Sequence, residues 1–157
     1  MTASSSAKII NDFMELAFAQ AEAAGARGEI PVGAVLVDSA SGEILAAAGN
    51  ETEAHHDPTA HAEMEVIRAA SARVGTPRLM ACDLYVTLEP CAMCAAAISL
   101  ARVRRLIYGA YDPKGGGVDH GPRVFTQPTC HHRPEVVGGV SASRSEALLK
   151  DFFAARR

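Results

Sequence analysis

The 157-residue sequence predicts an α/β fold with three layers, helices covering both faces of a central mixed five-stranded sheet. Short apolar runs alternate with stretches long enough for helices. Two runs, 31–37 and 44–48, are joined by the turn-like Asp38-Ser39-Ala40-Ser41-Gly42, which suits an antiparallel hairpin. The later runs are separated by helical segments, as parallel crossovers require.

Each element has a local reason. Ile9, Ile10, Phe13, Leu16, Ala17 and Ala21 approximate a 3.6 period, so 7–26 reads as a helix that Gly25 and Gly28 stop. The small polar residues before it, 1–6, read as a flexible tail, leaving 7–157 as a single domain. After the hairpin, Asp57-Pro58-Thr59 opens a second helix through about Arg73, with Asp57 or Thr59 as cap and proline in the first turn. Leu84 to Leu88 is a compact strand ending at Glu89-Pro90. A helix follows from Cys91 to about Ala101, then a strand from Leu106 to Ala110. Residues 113–128 form a glycine-rich loop. Val136 to Val140 reads as a short edge strand weakened by glycine, and Ser143 to Ala155 as a closing helix.

Composition narrows the class. A hydrophobic content of 48% excludes a mainly disordered chain, and no apolar run is long enough for a membrane span. The start lacks the basic and apolar regions of a signal peptide. The four cysteines are too few for a disulfide scaffold at this length and suit a reducing cytoplasm. Net charge is −3, but residues 1–60 hold 2 Lys/Arg against 9 Asp/Glu, and residues 61–157 hold 13 against 9. The second stretch offers either a local basic face or an ordinary solvated surface.

The chemistry sits in a split motif. His61-Ala62-Glu63 is followed about thirty residues later by Pro90-Cys91-Ala92-Met93-Cys94. One imidazole and two thiolates make a three-ligand zinc set with an open fourth position, the pattern of catalytic rather than closed structural zinc. Cys91 and Cys94 lie three apart at a helix start, where the dipole and free amides favour thiolates. His61 is expected in the first turn of the preceding helix. That places Glu63 about 200° away around an ideal helix, poorly set for a second ligand but available to move protons. Two readings compete with catalytic zinc: a closed structural zinc site, which needs a fourth ligand such as one from Cys130-His131-His132 or His55-His56, and a redox C-x-x-C pair. Cys82 reads as a small buried hydrophobe.

The H-x-E and P-C-x-x-C motifs resemble those of the cytidine and deoxycytidylate deaminase superfamily. The surrounding strings are similar to its tRNA-specific adenosine deaminase branch: 29–37, Asn50, 56–63, 84–94, 108–114 and Phe152-Phe153. The resemblance implies a cytidine deaminase-like fold, one Zn2+ per subunit held by His61, Cys91 and Cys94, and Glu63 as proton shuttle. It implies hydrolysis of adenosine to inosine at the wobble position of a tRNA anticodon loop, with release of ammonia, by a cytoplasmic homodimer without membrane association. Asn50, Ala60, Asp112 and Lys114 become candidate substrate contacts. Asn50 is alternatively a turn cap, Ala60 a packing residue, and Asp112 and Lys114 solvated loop residues. Phe152 and Phe153 suit packing better than stacking, and Arg156-Arg157 is either a phosphate contact or a free end. The alternative activity is deamination of a free nucleobase or nucleoside, such as guanine or cytosine.

Overall fold

The computed structural model describes residues 3–156. Its elements run α1 (Ala3–Ala26), β1 (Gly33–Asp38), β2 (Ile44–Gly49), α2 (Ala62–Val74), β3 (Cys82–Leu88), α3 (Ala92–Leu100), β4 (Arg105–Ala110), a 3-10 turn (Val124–Thr126), β5 (Glu135–Val137) and α4 (Ala142–Ala154). The strands form one sheet in the order β2-β1-β3-β4-β5. β1 is antiparallel to both β2 and β3, whereas β3, β4 and β5 run parallel, so the sheet is mixed as expected. Among the described residues, no helix is long and apolar enough to cross a membrane.

The middles of the central strands are apolar because both faces of the sheet are covered there. Ala34, Leu36, Leu84, Val86, Leu106 and Tyr108 point into a core with Val66 and Ala70 of α2 and Ile98 of α3. Their neighbours Val35, Val37, Tyr85 and Ile107 meet Met14, Ala17 and Phe18 of α1 on the other face, with Leu148 of α4 packed alongside. Leu84 is fully buried, so truncating it to alanine costs about 2–5 kcal/mol. α4 is tied down by the Ser145 hydroxyl, which donates to the Thr87 carbonyl in the middle of the molecule.

Three boundaries differ from expectation by three residues or more. α1 begins at Ala3, so the tail expected over 1–6 is helical where it is described; Met1 and Thr2 lie outside the described residues. β5 stops at Val137 because Gly138 follows and Gly139 turns left-handed at φ 82, although the Gly139 and Val140 amides still reach β4 carbonyls. α2 begins at Ala62 rather than at Asp57. Asp57 Oδ1 instead accepts the Thr59 amide at 2.8 Å and the Thr59 hydroxyl at 2.7 Å, which closes a local turn. The first helical amide, Ala62 N, donates to Asn50 Oδ1 at 2.8 Å, a cap supplied from the end of the hairpin.

Candidate active site

α2 and α3 begin at the sheet edge where β3 and β4 end and β1 starts. His61 immediately precedes α2 and Cys91 immediately precedes α3, each at the N-cap position without a side-chain capping bond, and Cys94 lies in the first turn of α3. His61 Nδ1 lies 3.6 Å from Cys91 Sγ and 3.5 Å from Cys94 Sγ. Two donors about 2.0 and 2.3 Å from one tetrahedral zinc ion stand about 3.6 Å apart, so the triad has the spacing that the ion requires. The three ligand atoms all lie within 4.8 Å of one another, and among the described residues no fourth His, Cys, Asp or Glu joins the group. That argues against a closed structural site.

The Cys91 thiol is lowered to about 4, chiefly because the Cys94 thiol donates to it, and His61 adds to the effect. Cys94 is raised, because it is the one that keeps the proton in the absence of a cation and because it is buried. His61 is raised, mainly by its contact with Cys91. His61, Cys91 and Cys94 would together hold a divalent ion, which would take both sulfurs as thiolates.

Glu63 is 4% exposed, and burial raises its carboxyl above the ordinary range. The expected geometry of the His61–Glu63 pair is corrected here. His61 is extended (φ −72, ψ 152) and outside the helix, so the 200° separation of two helical residues does not apply. Both side chains therefore face one cavity of about 250 Å³, lined also by Ile30, Val32, Asn50, Leu88, Glu89, Cys91, Asp112 and Gly115. Asn50 is both the cap and a wall residue. Its Oδ1 is used by Ala62, while its amide nitrogen has no hydrogen-bond partner among the described residues and is free to donate to a ligand.

Two buried glutamates outside the sequence candidates hold loop segments next to the cavity, and Glu89 also lines it. Glu89 is 2% exposed. Its Oε1 accepts the Asp112 amide at 3.0 Å and faces His120 Nδ1 at 2.8 Å. Its Oε2 accepts the amides of Val118, Asp119 and His120 at 3.2, 3.0 and 3.1 Å. Burial pushes this carboxyl up, but the hydrogen bonds outweigh it and the net shift is downward. The glycine run has its reason in the same place. A Cβ on Gly116 would collide with the Glu89 carboxylate, and one on Gly117 with the start of α3 at Ala92. Glu29, also 2% exposed, accepts the Glu53 and Ala54 amides at 2.9 and 3.0 Å and the Thr52 hydroxyl at 3.3 Å. Its carboxyl too is held down: burial raises it, and these donors with Arg27 more than offset that.

Other sequence candidates fall elsewhere. Ala60 is fully buried and off the cavity wall, while Lys114 is exposed and off it as well. Asp112 lines the cavity, with Oδ1 accepting the Lys114 and Gly115 amides. Cys82 is buried as expected, and Cys130 lies against Ser99, away from the triad. His55 pairs with Glu51 at 3.0 Å. Phe152 is covered by the Arg156 guanidinium at 3.4 Å from its ring centroid, a packing role for both; Arg157 lies outside the described residues.

The family model of the cytidine and deoxycytidylate deaminase zinc-binding region matches residues 7–110. The chain belongs to this family. Among the deaminases it resembles, a tRNA-specific adenosine deaminase of Agrobacterium fabrum is 57% identical over 145 residues, spanning 92% of this chain and 94% of the relative. One from Rickettsia bellii is 45% identical over 140 residues, spanning 89% and 97%. A solved structure from work on A-to-I editing by tRNA:A34 deaminases superposes with a TM-score of 0.86 at 57% identity, spanning 88% of this deaminase and 99% of that chain.

Proposed function

We propose that this chain deaminates adenosine to inosine at the wobble position of a tRNA anticodon loop, acting in the cytoplasm as a homodimer with one zinc ion per subunit. The observation that carries the chemistry is the convergence of His61 Nδ1, Cys91 Sγ and Cys94 Sγ beside a cavity whose wall includes His61, Cys91 and the buried Glu63. The substrate reading is supported by the 57% identity, over 92% of the chain, to a tRNA-specific adenosine deaminase. The free state of all four cysteines suits the compartment.

His61, Cys91 and Cys94 would hold the ion. When bound, it lowers the pKa of water to about 7 and so supplies a nucleophile at neutral pH. The overall change breaks the C6–N6 bond of adenine, forms a C6–O bond and releases ammonia. Glu63 takes a proton from water at its carboxylate and returns it to the departing amine, and its place on the cavity wall beside His61 and Cys91 suits it to both tasks. The free Asn50 amide nitrogen donates to the purine. Asp112 is a second contact at the wall, Ala60 serves the fit of the base only indirectly since it is buried off that wall, and Lys114 reaches outward toward phosphate. A loop base is already unstacked in part, so bringing it into the cavity costs less than opening a duplex.

The test is incubation of the zinc-loaded protein with an anticodon stem-loop RNA carrying adenosine at the wobble position, with inosine read by position. Conversion confined to that position supports the reading. Ammonia release from free guanine or cytosine, with the RNA unchanged, overturns it in favour of a free-base deaminase.

A further inference from the structure

We propose that Glu29 and Glu89 are a matched pair of positioning residues: two buried carboxylates that hold two irregular segments, one carrying wall residues of the pocket and the other continuing from the wall residue Asn50, and thereby set how tightly the substrate is held. The substrate named here rests on the deaminase reading above, whereas the geometry stands apart from it.

The segments 51–56 and 112–120 are neither helix nor strand, so their inward amides have no ladder partner. A carboxylate offers about four acceptor sites and no donor, which fits a cluster of converging N–H groups. Glu89 takes four backbone amides and the His120 ring; Glu29 takes two amides and a hydroxyl. Each glutamate is coupled to the cavity wall. Glu29 precedes the lining residue Ile30, and the segment that it holds continues from Asn50. Glu89 follows Leu88, lines the cavity itself, and fastens the segment that carries Asp112 and Gly115. Neither is one of the three clustered metal donors. Glutamine has the same size but sets an NH2 group against N–H donors, so it satisfies only part of either cluster.

The experiment compares Glu29→Gln and Glu89→Gln with the parent, as zinc-loaded full chains. It measures amide hydrogen exchange, metal content and steady-state kinetics on the stem-loop RNA. Glu89→Gln should speed exchange at Val118, Asp119 and His120 by about tenfold, the scale of one lost charge-assisted hydrogen bond, and leave Glu53 and Ala54 unchanged. Glu29→Gln should do the reverse. Both should raise KM about tenfold with kcat within about threefold and full zinc content, as expected for interactions that hold substrate and transition state alike. Faster exchange throughout the chain overturns the proposal, because it reports general destabilisation. Local loosening with an unchanged KM overturns it as well, because the carboxylates are then structural only. If Glu89→Gln does not fold, Gly116→Ala pushes against the same carboxylate from the loop side and must give the same rise in KM; a parental KM there refutes the role of Glu89. If the parent does not deaminate the RNA, the substrate reading fails on its own, and the exchange pattern still decides the positioning of the two segments.

Discussion

Replacing Glu63 with glutamine keeps the shape of a side chain that is 4% exposed and removes its ability to carry a proton. The size of the loss follows from what else lines the cavity. Glu89 has both oxygens filled by amides and His120, and Asp112 Oδ1 is held by two loop amides. His61 faces the two sulfurs. No lining side chain is placed to take over the proton, so the effect should lie toward the upper end of the 10²–10⁴ range for general acid–base catalysis, about 5 kcal/mol of barrier. Stability should move the other way. Burial raises the Glu63 pKa because the charged form is poorly solvated, and a neutral amide does not bear that cost. The melting temperature of Glu63→Gln should therefore equal or exceed the parent's. Single-turnover inosine formation, measured at matched zinc content, checks the first claim and thermal melts check the second. A rate within threefold of the parent at full zinc content would refute the shuttle assignment.

Further outcomes follow from the same geometry. Cys91→Ala or Cys94→Ala should abolish stoichiometric zinc binding and all turnover, with Cys82→Ala leaving metal content intact; atomic emission on dialysed protein reads this directly. Asn50→Ala should lose both the α2 cap and the purine donor, costing about 1 kcal/mol of stability together with a fall in kcat/KM, whereas Asn50→Asp keeps an acceptor for Ala62 and should lose only the activity. Ser145→Ala leaves the Thr87 carbonyl without its buried donor and should cost about 1–3 kcal/mol in urea unfolding, with zinc content unchanged. Glu29 has a folded pKa below its ordinary 4.5, so its contribution is present above pH 4.5 and is lost as pH falls through the lower folded value. The stability gap between the parent and Glu29→Gln should therefore narrow only on the acid side, which a pH series of urea midpoints measures.

What could be read in advance was what local chemistry dictates. A stretch such as Leu84-Tyr85-Val86 is apolar at every position because both faces of the sheet are covered, so its strand character shows without the fold. The metal donors are legible for a similar reason: two thiolates three apart at a helix start, and an imidazole at another, satisfy the ligand chemistry almost by themselves. The start of α2 was not legible. Local signals favoured Asp57, but Asp57 spends its side chain on Thr59, and the first helical amide is capped from Asn50, twelve residues away. That displacement matters for the chemistry, because it leaves His61 extended and lets it share a cavity with Glu63, which a helical His61 would have prevented.

The glycine-rich loop was opaque for a further reason. Its conformation is set by a charge that lies outside it. Glu89 follows an apolar strand directly ahead of Pro90 and is buried at the hub of residues 112–120. The available signal was paired: an acid at the C-terminal end of a buried strand, and downstream three consecutive glycines. Glycines at Gly116 and Gly117 permit backbone to approach a carboxylate and a helix start more closely than any side chain allows. A run of glycine near a metal motif is thus a mark of close approach as much as of flexibility, and the group being approached is the residue to look for.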